Sequence, residues 1–145
     1  MGAHGTDVLA GLREPARDLR RLIPQVYEGF VHTHQAAMTP GALDTKTKEL
    51  MALAIGVTQQ CDGCIASHAR GAARAGATVE EVAETLGVTI LMNGGPATVY
   101  GPRALASFQD FLENLPRTAA CADRGLSPRD GGRAPHDPTL DSAAP

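Results

Sequence analysis

Apolar positions along the first 115 residues recur at intervals of three and four, the period of a helix that buries one face. Leu19, Leu22, Ile23, Val26, Tyr27 and Phe30 make the first such face, and Pro24 either kinks it or opens a new helix. After the turn PGALD, Asp44 is suited to cap TKTKELMALAIGVTQQ. There Leu50, Leu53, Ala54 and Val57 share one side, with Met51 and Ile55 widening the stripe. CDGCIASHARGAARAGA reads as the next helix, rich in small residues that permit close helix contact, and Gly76 suits a left-handed stop. TVEE, residues 78–81, has the form of a capping box ahead of Val79, Val82, Ala83, Leu86 and Ile90. NGG at 93–95 closes that helix, and Pro96 fits the first turn of another. Val99, Leu105, Phe108, Phe111, Leu112 and Leu115 run through this last helix, which Pro102 interrupts near its start. No alternating strand pattern of convincing length and no internal repeat is visible. The expected fold is all-α.

Composition sets the expected limits of the domain. From Pro116 the chain is rich in Pro, Gly, Asp and Arg and poor in large apolar residues, too little to offset the entropy of ordering it. The expected organisation is a flexible N-terminus at 1–7, one folded domain at 8–115 and a disordered tail at 116–145. A core of many small residues and few aromatics is expected to be completed by association into a homo-oligomer.

Charge and motif content exclude several classes of partner. The net charge is −3, without a Lys/Arg block, and the aromatics are Tyr27, Phe30, Tyr100, Phe108 and Phe111. Nucleic-acid binding wants a basic stripe or stacking aromatics, so no nucleic acid is expected. No signal peptide and no bilayer-length apolar run is visible, so the expected location is cytoplasmic, with no membrane partner. In that reducing compartment, paired cysteines are more often catalytic or metal-binding than structural.

The chemistry concentrates in CDGCIASH, residues 61–68. Cys61 and Cys64 are three apart and Cys64 and His68 four apart, spacings that share a helix face and allow a disulfide. If the helix starts near Cys61, the free N–H groups of its first turn point toward Cys64 and favour its thiolate. A nearby His can take the proton directly or through a water. If the chain reverses near Gln60, Glu49 lies about 16 Å before the turn and His68 about 12 Å after it. The two would then face each other to within a helical turn, and the carboxylate could orient the imidazole.

Each element also has a plainer reading. Glu49 could pair with Lys46 or Lys48 or face solvent, and His68 could be a solvated helix residue. His32 and His34 lie two apart, point away from each other on a helix, and read as polar helix-end residues. Structural zinc wants four ligands, whereas only three cluster here and no second pair follows. His4, Cys121 and His136 fall in expected tails, Cys121 as a free thiol. No metal and no cofactor are expected.

The stretch 41–108 resembles the AhpD-like (alkylhydroperoxidase D-like) proteins of the carboxymuconolactone decarboxylase superfamily. It carries their E-x11-C-x2-C-x3-H pattern at Glu49, Cys61, Cys64 and His68, and their Gly-Gly-Pro junction at 94–96. The resemblance implies an AhpD-like helical fold, with an antiparallel helix pair carrying the cysteines, assembled as a trimer or as a hexamer built from three dimers. It implies an antioxidant thiol peroxidase in which Cys64 is the peroxidatic thiol, Cys61 resolves it, and His68 and Glu49 relay the proton. The substrate would be a hydroperoxide, and the reductant an external dithiol on a lipoyl-bearing or thioredoxin-like protein. Superfamily members that decarboxylate a lactone generally lack the cysteine pair, which speaks against that activity. AhpD carries a histidine immediately before the second cysteine, where this chain has Gly63. That departure motivates an alternative, a redox adaptor or sensor that cycles a disulfide with little peroxide turnover.

Overall fold

The computed structural model describes residues 5–114, which fold into helices joined by short turns, with no strand among them. In chain order these are α1 (Gly5–Leu22), α2 (Pro24–Met38), α3 (Thr45–Thr58), α4 (Asp62–Arg74), α5 (Val79–Asn93) and α6 (Gly95–Asn114). The all-α expectation stands. The tail expected at 116–145, with Cys121 and His136, lies outside the described residues, as does His4.

Gly5, Thr6 and Asp7, expected in the N-terminal segment 1–7, belong to α1. The Thr6 backbone N–H and hydroxyl both donate to Asp110 Oδ2, at 2.9 and 2.7 Å, which ties the first turn of α1 to α6. Gly5 is buried there against Phe111 and Ser107.

Pro24 occupies the first turn of α2, and the break at Ile23 splits the expected apolar face between two helices. Neither half is buried among the described residues. α2 contributes no buried residue, and Val26 and Phe30 remain 65% and 67% exposed. Leu19, Ile23, Val26, Tyr27 and Phe30 instead line an open groove of about 280 Å³.

The other boundaries follow local chemistry. Asp44 caps α3 by accepting the Thr47 N–H at 2.7 Å. Thr78 and Glu81 exchange both bonds of a capping box at the start of α5. Gly76, at φ 79°, ends α4, and the N–H groups of Gly76 and Ala77 bond to the carbonyls of Ala73 and Ala72. The same motif ends α3, but with Gln60 at φ 54° in the left-handed position. Its N–H bonds to Val57 and that of Cys61 to Gly56. A non-glycine residue there costs about 1–2 kcal/mol, and it sits immediately before the first cysteine.

α4 is the central helix. Ile65, Ala66, Ala69 and Ala72 are fully buried or nearly so, and these small side chains let α1, α3 and α6 approach closely. Leu53 and Val57 of α3, Val82 of α5, and Ala97, Ala104 and Phe108 of α6 complete the core. Burial of Phe108, Leu53 or Ile65 contributes roughly 1.5–3 kcal/mol each. Met51, Ile55 and Ile90, expected on apolar faces, are exposed, since no described element covers them. No helix among the described residues is long and apolar enough to cross a membrane.

Candidate functional site

The site is built on the α3–α4 hairpin, which runs antiparallel as the reversal at Gln60 requires. Gly56 meets Cys64 and Ile65 near the turn, and one helical stretch farther out Glu49 meets His68 and Gly71. Glu49 Oε2 lies 2.8 Å from His68 Nδ1, and the glutamate is only 8% exposed. With the carboxylate ionised, Nδ1–H is the donor and Nε2 is left free for proton transfer. The plainer pairings of Glu49 are not made. Lys46 binds Glu81 Oε1 at 2.6 Å, and Lys48 donates to the Thr39 carbonyl. The Lys46 ammonium and the Thr78 N–H hold the Glu81 carboxyl below the usual glutamate range, and Glu81 holds Lys46 above the usual lysine range.

Cys61 and Cys64 are joined as a disulfide with Cα atoms 5.2 Å apart. Cys61 is the N-cap of α4, and its Sγ accepts the Cys64 N–H at 3.2 Å. The sequence suggested that the first-turn N–H groups would serve Cys64. Here the donated N–H belongs to Cys64 and the receiving sulfur to Cys61, because helix geometry aims that group back at the N-cap. Cys61 is half-buried and Cys64 exposed. His68 follows Cys64 by one turn on the same face.

Beside His68 opens a cleft of about 680 Å³, with Glu49, Lys46, Arg70 and Arg74 in its walls. His34 of α2 also lines it, its ring stacked toward that of His68 with centroids 6.2 Å apart and planes inclined by 23°. Among the described residues no group of three or more His, Cys, Asp or Glu side chains is placed to hold a metal ion.

Residues 24–107 match the model of the carboxymuconolactone decarboxylase family. The chain belongs to that family. An uncharacterized protein of Cupriavidus necator is 38% identical over 106 residues, covering 71% of this chain and 94% of the relative. An uncharacterized protein of the cox locus in Paracoccus denitrificans is 38% identical over 84 residues, covering 58% and 76%. Among solved structures, an apo carboxymuconolactone decarboxylase family protein from Legionella pneumophila superposes with a TM-score of 0.72. It is 39% identical over 74% of this chain and 96% of its own. A Thermotoga maritima protein has a TM-score of 0.61 at 30% identity, covering 70% and 92%.

Three further residues of this family member bear on the site and were not singled out by sequence as parts of one constellation. Gly71 makes room for the Glu49 carboxyl, which occupies the space a Cβ at 71 would need. Its only sequence signal is the spacing His68-x-x-Gly71, which is common in helices. Leu12 of α1 packs over Gly63, where an added Cβ would come within 3.0 Å of Leu12 Cδ1. His34 reaches the cleft because α2 folds back beside the start of α3, a tertiary fact with no local signature.

Proposed function

We propose that this family member is a thiol-dependent peroxidase that reduces hydroperoxides through the Cys61–Cys64 pair, with His68 and Glu49 as its proton relay. The supporting observation is the Glu49–His68 contact of 2.8 Å on the same helical face as a disulfide-bonded Cys64. A bare disulfide would need no buried carboxylate aimed at an imidazole one turn away.

In the reduced protein, His68 takes the Cys64 proton at Nε2 while Glu49 stabilises the imidazolium. The Cys64 thiolate attacks the terminal oxygen of the hydroperoxide, forming an S–O bond as the O–O bond breaks. The departing alkoxide takes the proton from His68 and leaves as alcohol. Cys64 is now a sulfenic acid. The Cys61 sulfur attacks it, the S–O bond breaks, and water leaves with the Cys61 proton. The resulting disulfide is the state seen in the structure, and an external dithiol returns both thiols by exchange. That donor is a lipoyl-bearing or thioredoxin-like protein. The working form is a homo-oligomer, a trimer or a hexamer of three dimers, which the exposed apolar faces of α2 and α5 favour.

A second reading, a redox adaptor with little turnover, is favoured by one observation. Leu12 lies over Gly63, so the start of the cysteine helix carries an apolar cover where a histidine could have served the proton chemistry. Peroxide consumption with a supplied dithiol separates the two. Turnover that is lost in Cys64→Ser, with a trappable sulfenic acid in Cys61→Ser, supports the peroxidase. Facile disulfide cycling without peroxide removal supports the adaptor.

A further inference from the structure

A second groove, which shares Arg70 with the Glu49–His68 cleft, lies between α1, α4 and α6 and has a volume of about 690 Å³. Its apolar lining includes Leu9, Leu12, Ala16 and Phe111. Its charged lining is Arg13, Arg17, Arg20 and Arg70, and it contains no carboxylate. In a chain of net charge −3, four guanidinium groups around one groove are not the by-product of a basic protein.

The four arginines are not equally free. Arg17 lies 3.7 Å from Glu14 and 3.8 Å from Asp18 on the exposed side of α1. Arg20 sits over the Tyr27 ring, 5.2 Å from its centroid. Arg13 and Arg70 have no ion pair or hydrogen-bond partner among the described residues. They come from different helices, α1 and α4, so the groove offers two guanidinium forks that no described residue engages. Such planar donors match a carboxylate bidentately.

The groove adjoins the start of the cysteine helix through Leu12. Leu12 forms part of its lining and covers Gly63, the residue between Asp62 and Cys64. A ligand lying along Leu9 and Leu12 is thus led to the first turn of α4, where the exposed Cys64 stands.

We infer that this groove binds an aliphatic carboxylate, the apolar chain lying along Leu9, Leu12 and Phe111 and the carboxylate held by Arg13 and Arg70. In the peroxidase reading, the ligand is the substrate, an aliphatic hydroperoxide that carries a carboxylate. That role rests on the proposed function, whereas the binding itself does not. The groove's size lies within the range of small-molecule sites, and its mix of apolar walls with a few convergent polar groups is typical of them.

The test uses the full-length oxidised protein and sodium decanoate as probe, titrated calorimetrically at low ionic strength beside 1-decanol. Saturable decanoate binding is expected, with 1-decanol at least tenfold weaker. Arg13→Ala/Arg70→Ala should weaken decanoate at least tenfold, while Arg13→Lys/Arg70→Lys, which keeps the charges and loses the forks, should bind between the alanine pair and wild type and show that the fold survives. Equal binding of decanoate and decanol, binding indifferent to the alanine pair, or no saturable binding would each overturn the inference. Arginine-dependent sedimentation with anionic phospholipid vesicles, without decanoate binding, would assign the groove to a membrane surface instead and overturn it likewise. Peroxide turnover measured in parallel keeps the two readings apart. Decanoate binding without turnover leaves the site standing and removes the peroxidase, and turnover without binding does the reverse.

Discussion

The carboxyl group of Glu49 occupies the space that the Cβ of any larger residue at Gly71 would require. Glycine inside α4 costs the helix about 1 kcal/mol relative to alanine. Here it lets a buried carboxylate from α3 cross the helix interface and reach the His68 imidazole. Gly71→Ala should therefore lose more than it gains. The helix-propensity benefit of about 1 kcal/mol is set against an overpacking cost of about 1–3 kcal/mol. The expected outcome is a melting temperature within a few degrees of wild type, with peroxide turnover reduced at least tenfold and the His68 ring nitrogen resonances altered. Turnover unchanged in a variant that folds would show that the carboxylate does not need this position.

Much of this arrangement was legible in the sequence, and the reason is local. Asp44, the Thr78–Glu81 capping box, Gly76 and Pro24 act on backbone groups within a few residues, so composition alone places them. The Glu49–His68 pairing was also within reach, since one reversal at Gln60 and the rise per residue bring the two together. What the sequence could not reveal depends on neighbours distant along the chain. Met51, Ile55 and Ile90 have the spacing of core residues, yet whether a stripe is covered depends on which helix lies opposite. Gln60 gave no sign of a left-handed conformation, because the Schellman bonds around it are made by backbone, whatever its side chain. His34 read as a helix-end residue for the same reason: its role depends on where α2 folds back.

The disulfide is not symmetric, and reduction should expose the difference. Cys61 Sγ receives the Cys64 N–H at the start of α4, so in the proposed cycle Cys61 would be the leaving thiolate when an external dithiol attacks the exposed Cys64 sulfur. The transient mixed disulfide is expected at Cys64. Accordingly, Cys61→Ser should form a mixed disulfide with oxidised lipoate at least tenfold faster than Cys64→Ser does, followed by mass spectrometry. Equal rates would remove the asymmetry, and a faster Cys64→Ser would invert the roles.

Stability should fall in acid through identifiable groups. The Thr47 backbone and hydroxyl bonds hold Asp44 below its ordinary 3.8, and Lys46 with the Thr78 N–H holds Glu81 below its ordinary 4.5. A depressed carboxyl contributes stability that is fully present above its unfolded value and is lost as pH falls through the folded one. Lys46, raised above its ordinary 10.5 by Glu81, contributes below that value and loses its share as pH rises past it. The Lys46–Glu81 pair is therefore complete from about pH 5 to pH 10. Glu81→Gln should flatten the acid limb of a melting-temperature profile between pH 5 and pH 3 relative to wild type. Because the pair is solvated, the difference should shrink at 1 M salt. An acid limb of the same slope in Glu81→Gln would show that other carboxyls dominate.

The exposed apolar faces carry the remaining expectation, self-association. α2 is fifteen residues long, buries none of them within the chain, and presents Val26 and Phe30 outward beside Leu19 and Ile23. A helix of that length with little packing is marginal in water, and among the described residues α2 buries none of its side chains, so a partner is expected to add to its stability. α5 shows a second outward stripe at Val88, Leu91 and Met92, the last two 80% exposed. Exposed apolar faces of this kind on two separate helices are expected to be covered by further copies of the chain. Light scattering coupled to size exclusion should give a mass of three or six chains for wild type. Val26→Asp/Phe30→Asp should lower that mass and also reduce helical circular dichroism, because α2 unfolds when its partner is lost. Leu91→Asp/Met92→Asp should lower the mass with little loss of helix, since Val82 and Leu86 still anchor α5 to the core. A monomeric wild type with α2 fully helical would refute the expectation.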